Sequence, residues 1–176
     1  GITAGKDYAS GEPLLETLDA DKDKGDTPIL RYVLHQVRGM LQEAGNRLEG
    51  EFEIAVSHHY GKKNLLETGC VLIDIVNHEY CKKIILVLPG QENPAHYHKI
   101  KKETFHILSG ELIVGLEEGD KTLKPGQLMT IERHVPHSFR SQTGVIFEEI
   151  STTHAIADSF YLDEAISDMD PLDRKT

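Results

Sequence analysis

The residues with the clearest chemical potential are three histidines and one glutamate in the second half of the chain. His96 and His98 are separated by one residue, and Glu103 follows five residues later. Alternate side chains of a β-strand point to the same face, so both imidazoles are expected to face the same way. His137, in the run HVPHSF, is the natural candidate for a further ligand. Because imidazoles and carboxylates bind divalent metals, these four residues predict a metal site.

Three imidazoles and one carboxylate leave one or two positions open on the ion, as a catalytic metal requires. We expect one divalent metal ion, and Mn, Fe, Co, Ni and Zn all suit this ligand set. An isolated His-x-His pair can also be a surface pair on a solvated strand, so the interpretation depends on the surrounding residues.

These side chains need a scaffold, and the pattern of the chain predicts mostly β-strands. Charged and apolar residues alternate in EFEIAVS, residues 51–57, as in a half-buried strand. Turn residues, such as those in SG at 109–110 and KPG at 124–126, separate the later runs. Many short strands without intervening helices indicate a sandwich or barrel. The later strands are predicted at 69–76, 82–88, 104–108, 111–116, 127–131, 137–141 and 145–151.

One amphipathic helix precedes the strands. Apolar residues recur at helical spacing between Pro28 and Ala44, Thr27 can serve as an N-cap, and Gly45 follows as a stop. We therefore expect four segments, the last of which is acidic and should form a short helix or an extended arm. They are a linker or arm (1–27), the N-terminal helix (28–48), the metal-binding barrel (49–157) and a C-terminal tail (158–176).

Charge and composition disfavour several classes of partner. A formal net charge of −10 argues against nucleic acid, which needs clustered Lys and Arg. The longest apolar run is strand-sized, so no membrane span is expected. We also expect no secretory signal, because the first residues lack a basic start followed by an apolar stretch. We expect a cytoplasmic protein that binds a small molecule. Cys70 and Cys81 lie in strand-like runs and are expected to be small buried hydrophobic residues rather than a disulfide.

The residues around the predicted ligands resemble the two signatures of the cupin superfamily. Between Gly90 and Gly110 the order is Gly, five residues, His-x-His, four residues, Glu, six residues, Gly, which resembles the first signature without a gap. The block from LKPG to VPHSF resembles the second, with His137 in the ligand position, although Pro-x-Gly is shortened to Pro-Gly. The resemblance implies an all-β fold, the double-stranded β-helix or jelly-roll barrel, here with one N-terminal helix.

A narrower resemblance is to the cupin sugar isomerases of the D-lyxose isomerase type. YCKKIILVLPGQENPAHYH, KKETF and EISTT carry it, over about residues 80–153. It implies aldose–ketose isomerisation through an enediol, with Glu149 as general base and Lys83 supplying a proton or electrostatic help. The chain is shorter than these isomerases between Glu103 and His137, so its pocket is expected to differ. The alternative is that Lys83 and Glu149 are ordinary solvent-exposed strand residues.

A second resemblance leaves another function open. VSHHYG, YCKKIILVLPGQ and IFEEISTTH resemble the cupin domain appended to some sialic acid (N-acetylneuraminate or nonulosonic acid) synthases, and AGKDYASGEPL is similar to the domain that precedes it there. This resemblance implies a non-catalytic or regulatory sugar-binding module, in which case Gly1 would mark a domain edge. A metal-dependent dioxygenase is a third possibility for which the sequence gives no positive sign.

The remaining expectations concern the barrel rim and its partners. His59 and Tyr60 end the first strand and are candidates for substrate binding. We expect a homodimer, because cupin barrels expose strand edges and the strand at 51–57 is a candidate edge. The sequence shows no Arg cluster or glycine loop for a phosphate, which favours a free sugar. The other histidines are expected to be packing or surface residues: His35, His78, His106, His134 and His154.

Overall fold

The structure is a computed structural model that describes residues 27–176. The arm expected over 1–27, apart from its last residue, and the AGKDYASGEPL resemblance lie outside the described residues. Two compact units can be distinguished, one ending at Gly50 and the other spanning Glu51–Thr176.

The first unit contains the predicted amphipathic helix. Helix α1 spans Thr27–Glu43, and its apolar residues Val33, Val37 and Met40 share one face because they are three and four positions apart. The helix ends where predicted: Gly45 has φ of 69°, a left-handed conformation that glycine adopts without strain. No helix in the described part of the chain is long and apolar enough to cross a membrane.

The second unit is an antiparallel β-barrel built from two sheets. The six-stranded sheet has the order β1-β2-β3-β10-β5-β8, and the five-stranded sheet has the order β11-β4-β9-β6-β7. This architecture confirms the expected all-β jelly roll with one N-terminal helix. The strands are β1 (Glu53–Ser57), β2 (Cys70–Asn77), β3 (Tyr80–Val87), β4 (Glu92–Tyr97), β5 (Glu103–Gly110), β6 (Leu112–Leu116), β7 (Gly119–Leu123), β8 (Leu128–Ile131), β9 (His137–Arg140), β10 (Val145–Thr152) and β11 (Phe160–Tyr161).

Three strands lie outside the predicted ranges, each for a local reason. Strand β4 contains Pro94, which lacks a ladder N–H and therefore argues against a strand. The chain accommodates it in a bulge, because Asn93 pairs with Phe139 and His96 pairs with His137. An extra residue in β4 thus lets both Asn93 and His96 be buried. Strand β7 begins in a segment with the composition of a turn, and β11 has only two residues.

The inner face of the six-stranded sheet changes from apolar to polar between neighbouring rows of side chains. Directly paired residues share a face, and the row that includes Ile85, Phe147 and Ile107 is apolar and buried. The adjacent inward row contains Lys83 and Glu149, which lie directly opposite each other in the register of β3 and β10. The hydrophobic core therefore supports a charged layer inside the same barrel.

Aromatic residues from both sheets hold the core together. Phe147 lies 5.0 Å from Phe105 and 5.5 Å from Phe139, measured between ring centroids in edge-to-face arrangements. Cys70 and Cys81 are free and buried, in agreement with the expectation for them. Gly110, the last residue of the first signature, has no space for a side chain, since a Cβ there would lie 1.9 Å from the Gly144 carbonyl oxygen.

The segment 158–176 belongs to the same compact unit as the barrel. It contains β11, which pairs with β4, and a short helix α2 (Glu164–Ser167). Its end returns to the edge strand β1, where Val56 and Thr176 exchange two backbone hydrogen bonds of 2.7 and 3.0 Å. The β1 edge is therefore partly paired within the chain, and the homodimer stays a prediction.

Candidate metal centre

The four predicted ligands converge in the barrel interior. One donor atom from each of His96, His98, Glu103 and His137 can be chosen so that all lie within 4.8 Å of one another, and all four residues are buried. His96 lies in β4 and pairs with His137 at the start of β9, while Glu103 begins β5. His98 is the residue that follows β4. The cluster could therefore hold one metal ion.

Each of the three imidazoles is oriented by a backbone carbonyl. Nδ1 of His96 lies 2.9 Å from the Pro94 oxygen, and Nδ1 of His137 lies 3.0 Å from the Val135 oxygen. Nδ1 of His98 lies 2.7 Å from the carbonyl oxygen of Asp158. Because a carbonyl only accepts, Nδ1 carries the proton in each ring, and the Nε2 lone pair remains free for an ion.

The unpartnered lone pairs of the candidate ligands suit a bound cation. Nε2 of His98 and of His137 are buried without a hydrogen bond among the described residues. Nε2 of His137 is 2.8 Å from Oε1 of Glu103, but with the proton on Nδ1 both atoms are acceptors, so neither satisfies the other. Buried lone pairs without partners are unfavourable. A divalent ion would satisfy them together, so the residues present suit the metal expected from the sequence.

The charge states also suit metal binding. Burial lowers the pKa of His98 to about 4 and holds the pKa of His96 well below its usual range. Burial alone would raise the pKa of Glu103, but Lys101 and His137 bring it well below its ordinary value. Neutral imidazoles and an ionised carboxylate are the forms that bind metal ions.

Lys101 was not identified from the sequence, although it lies at the centre of the site. Its Nζ is 2.6 Å from Oε2 of Glu103 and 2.7 Å from Oε1 of Glu149. The side chain is 4% exposed; burial would lower its pKa, but the two carboxylates raise it, so the ammonium stays charged. Lys101 belongs to a basic run that resembles a solvated loop. The available signal was its position two residues before Glu103, which allows both side chains to share a face.

Asp158 holds this loop in place and was also missed. Its carboxylate accepts backbone N–H groups from Lys99, Ile100 and Lys101, at 2.8 to 3.2 Å. Its carbonyl accepts the proton of the His98 ring. Burial would raise the pKa of Asp158, but these backbone hydrogen bonds lower it. One residue from the C-terminal segment thus positions both His98, a candidate ligand, and Lys101.

A cavity beside the cluster contains the two residues expected to react with substrate. Lys83 and Glu149 line it together with His96, His98 and Lys101. Both residues are buried, with 3% and 6% of their surface exposed, so neither is the solvent-exposed strand residue of the alternative interpretation. Lys83 forms a 2.8 Å ion pair with Asp74. Burial raises the pKa of Glu149, and nearby Glu103 adds to the rise while Lys101 opposes it.

Glu148, the neighbour of Glu149, does not line the cavity. It is half-buried and binds Lys82 at 2.7 Å and His106 at 2.9 Å. Successive strand residues face opposite sides of a sheet, so Glu148 points away from the cavity. The two glutamates therefore form a matched pair, of which one faces the cavity.

The predicted rim residues His59 and Tyr60 are not among the side chains that line this cavity. His59 is buried, and its Nε2 lies 2.8 Å from the hydroxyl of Tyr161, which does line the cavity. Tyr60 is exposed and donates a hydrogen bond to Asp163. Substrate binding by His59 and Tyr60 stays a prediction. His154, expected to be a packing or surface residue, contributes to the lining, and burial together with Lys83 and Lys101 lowers its pKa to about 2.

Known proteins with related sequences and structures are consistent with this arrangement. The cupin domain family matches residues 83–149. The D-lyxose/D-mannose isomerase of Thermosediminibacter oceani is 30% identical over 123 residues, which covers 53% of this chain and 67% of that protein.

Two solved structures resemble the fold over most of the chain. The L-ribose isomerase of Geodermatophilus obscurus has a TM-score of 0.64 at 15% identity and covers 77% of this chain and 92% of its own. The L-ribose isomerase of Cellulomonas parahominis, with L-ribose, has a TM-score of 0.62 at 14% identity and covers 77% and 91%. At these identities the likeness concerns the fold.

Replacing one ligand tests the metal centre. We expect His137→Ala to weaken divalent metal binding by more than about 100-fold, because even the loss of an outer hydrogen-bond partner costs about 10–100-fold. Isothermal titration calorimetry with Mn²⁺ and Zn²⁺ measures this, and His78→Ala, at an exposed histidine, is the control. Equal affinities in the two variants would contradict the assignment.

Replacing Asp158 tests the positioning of the cluster. Asp158→Ala keeps the carbonyl that orients His98 but releases the loop that the carboxylate holds. We expect metal affinity to fall by about 10–100-fold, the usual effect of losing an outer partner of a ligand. The exposed Asp168→Ala variant should retain the parental affinity. An unchanged affinity for Asp158→Ala would show that the ligands do not depend on this tether.

Proposed function

Because the chain belongs to the cupin superfamily, in the family that contains the D-lyxose/D-mannose isomerases, we propose that it is a metal-dependent aldose–ketose isomerase. The observation that carries the proposal is the shared cavity, in which the buried Glu149 stands beside the metal cluster and is joined to it through Lys101. Isomerisation moves a proton between two adjacent carbons of the sugar, and it requires a base beside a group that stabilises negative charge on oxygen.

His96, His98, Glu103 and His137 would hold one divalent ion, for which Mn, Zn, Fe, Co and Ni remain suitable. Such an ion, when bound, stabilises the negative charge that develops on sugar oxygens during proton abstraction. The second anchor for the sugar is the polar part of the cavity wall, where Asn93 and Ser159 supply hydrogen-bonding groups.

Glu149 is the proposed general base. Its Oε1 is fixed by the Lys101 ammonium, which leaves Oε2 to take a proton from one carbon and return it to the next. The upward shift of its pKa by burial brings the carboxylate closer to the range in which it both accepts and donates a proton near neutral pH. A single carboxylate can therefore perform both halves of the transfer.

Lys83 and Lys101 act on either side of this base. Lys101 is a positioning residue, because its ammonium group contacts the two carboxylates. Lys83 lies opposite Glu149 in the backbone register of β3 and β10, and its side chain lines the cavity. We assign Lys83 to electrostatic stabilisation of a sugar oxygen or to supplying a proton to it, with Asp74 holding the ammonium in place.

The alternative function is a non-catalytic or regulatory sugar-binding module like the cupin domain of sialic acid synthases. The relative from Thermosediminibacter oceani is a sugar isomerase, and it does not favour that alternative. The buried carboxylate in the cavity also supports turnover, because simple binding of a sugar does not need a carboxylate held by a buried lysine.

Substitution of each of the two neighbouring glutamates of β10 in turn tests the proposal. We expect Glu149→Gln to lower the rate of aldose-to-ketose conversion by about 10²–10⁴-fold, the usual contribution of a general base. Metal content, measured by plasma emission spectroscopy, should not change, because Glu149 is not a ligand. Glu148→Gln is the matched control and should keep most of the activity, with both variants assayed on one panel of free and phosphorylated aldoses. Equal rates in both variants would exclude Glu149 as the base.

A further inference from the structure

The cavity holds more positive charge than the proposed isomerisation uses. Its lining includes the carboxylate of Glu149 and four cationic residues. The four are Lys83, Lys101, Arg174 and Lys175. Lys83 is neutralised by Asp74, and Lys101 is shared by Glu103 and Glu149. Arg174 and Lys175 remain to be explained.

The backbone holds these two residues firmly at the cavity. The turn Pro171–Arg174 is capped by Asp170, whose carboxylate accepts the N–H of Leu172 at 2.9 Å. The Arg174 carbonyl then accepts the N–H of His58 at 2.8 Å, and Lys175 pairs with Ser57 on the edge strand. The positions of Arg174 and Lys175 are therefore fixed by main-chain bonds before any ligand arrives.

Arg174 is a buried cation that makes no ion pair with a carboxylate of the described residues. Its side chain is 6% exposed, and the contact of its guanidinium is the ring of Tyr161, 4.8 Å from the centroid. A buried cation without a counter-ion is costly, and a bound anion removes that cost. The planar guanidinium matches the oxygens of a phosphate or carboxylate, which it can bind through two parallel hydrogen bonds.

Lys175 experiences the same excess of positive charge. Burial lowers its pKa and the nearby ammonium of Lys83 lowers it further, while Asp74 and Glu149 oppose the shift without forming an ion pair with Lys175. This local excess contrasts with the whole chain, whose formal net charge is −10. The cationic cavity is therefore a specific local feature and does not reflect a basic protein.

We propose that the substrate of this isomerase is a sugar that carries an oxyanion, either a phosphate or a carboxylate, and that Arg174 and Lys175 bind this group. The inference rests on the proposed function, since it names the substrate class of the same cavity. It revises the sequence-based expectation of a free sugar. Both residues lie after the segment 83–149 that the cupin family matches, in a part of the chain where no motif marks them.

The first experiment compares substrates that differ only in the charged group. Metal-loaded protein is assayed with aldoses, the same aldoses carrying a terminal phosphate, and the corresponding uronates. We expect kcat/KM for one charged series to exceed that of the neutral sugars by at least about 10-fold. The phosphate and uronate arms decide which oxyanion is preferred. Equal kcat/KM for neutral and charged sugars would overturn the inference while leaving the isomerase intact.

The second experiment assigns the effect to the two residues. Arg174→Gln should raise KM for the charged sugar by about 10–100-fold with little change in kcat, and Arg174→Lys should restore part of the loss. Lys175→Gln should act in the same direction. The matched controls are Arg47→Gln and Lys124→Gln, both at exposed positions, which should leave KM unchanged. Thermal melting of each variant identifies any that fail to fold, in which case Arg174→Lys and Lys175→Gln carry the test.

Binding of inorganic phosphate separates the two proposals. Calorimetry on the metal-loaded protein should give an affinity that falls about 10–100-fold in Arg174→Gln but not in Arg47→Gln. Such a result without turnover of any sugar would keep the anion site and reject the isomerase. Phosphate affinity that is the same in both variants would reject the anion site.

Discussion

A buried ammonium group between two carboxylates connects the parts of the site. Lys101 contacts Glu103, a proposed metal ligand, and Glu149, the proposed base. Two carboxylates so deep in a barrel would repel each other and shift the pKa of one of them upward if no cation lay between them. The lysine opposes that repulsion, and its own burial is tolerable because both carboxylates are within hydrogen-bond distance. The metal centre and the base are therefore electrostatically dependent on one another.

The fold supplies this network with residues that are far apart in sequence. Pairing of β3, β10 and β5 brings Lys83, Glu149 and Phe105 into one row, so that the charged layer rests directly on the apolar core. A bulge at Pro94 brings His96 opposite His137. Asp158, from the C-terminal segment, then fixes the loop that carries Lys101. The positions of the candidate metal ligands thus depend on the strand pairing, the bulge in β4 and the contacts of Asp158 together.

Local sequence patterns predicted those features that depend on residues close together in the chain. Alternation and turn residues predicted the helix and most strands, and the spacing of His96, His98 and Glu103 predicted a metal cluster. The roles of Lys101 and Asp158 depend on contacts between residues 48 to 60 positions apart, and no periodicity reports such contacts. Arg174 was missed because its burial follows from the pairing of the chain end with β1, whereas its surroundings in the sequence are polar.

In the proposed function, the cavity beside the metal cluster moves a proton between two carbons of a sugar. The most direct measurement follows the C2 proton by NMR while metal-loaded protein is incubated in deuterated water with free, phosphorylated and carboxylated aldoses. We expect deuterium to replace the C2 proton of at least one sugar as its ketose appears. The absence of exchange with every sugar, while the metal remains bound, would exclude the isomerase and favour a sugar-binding module.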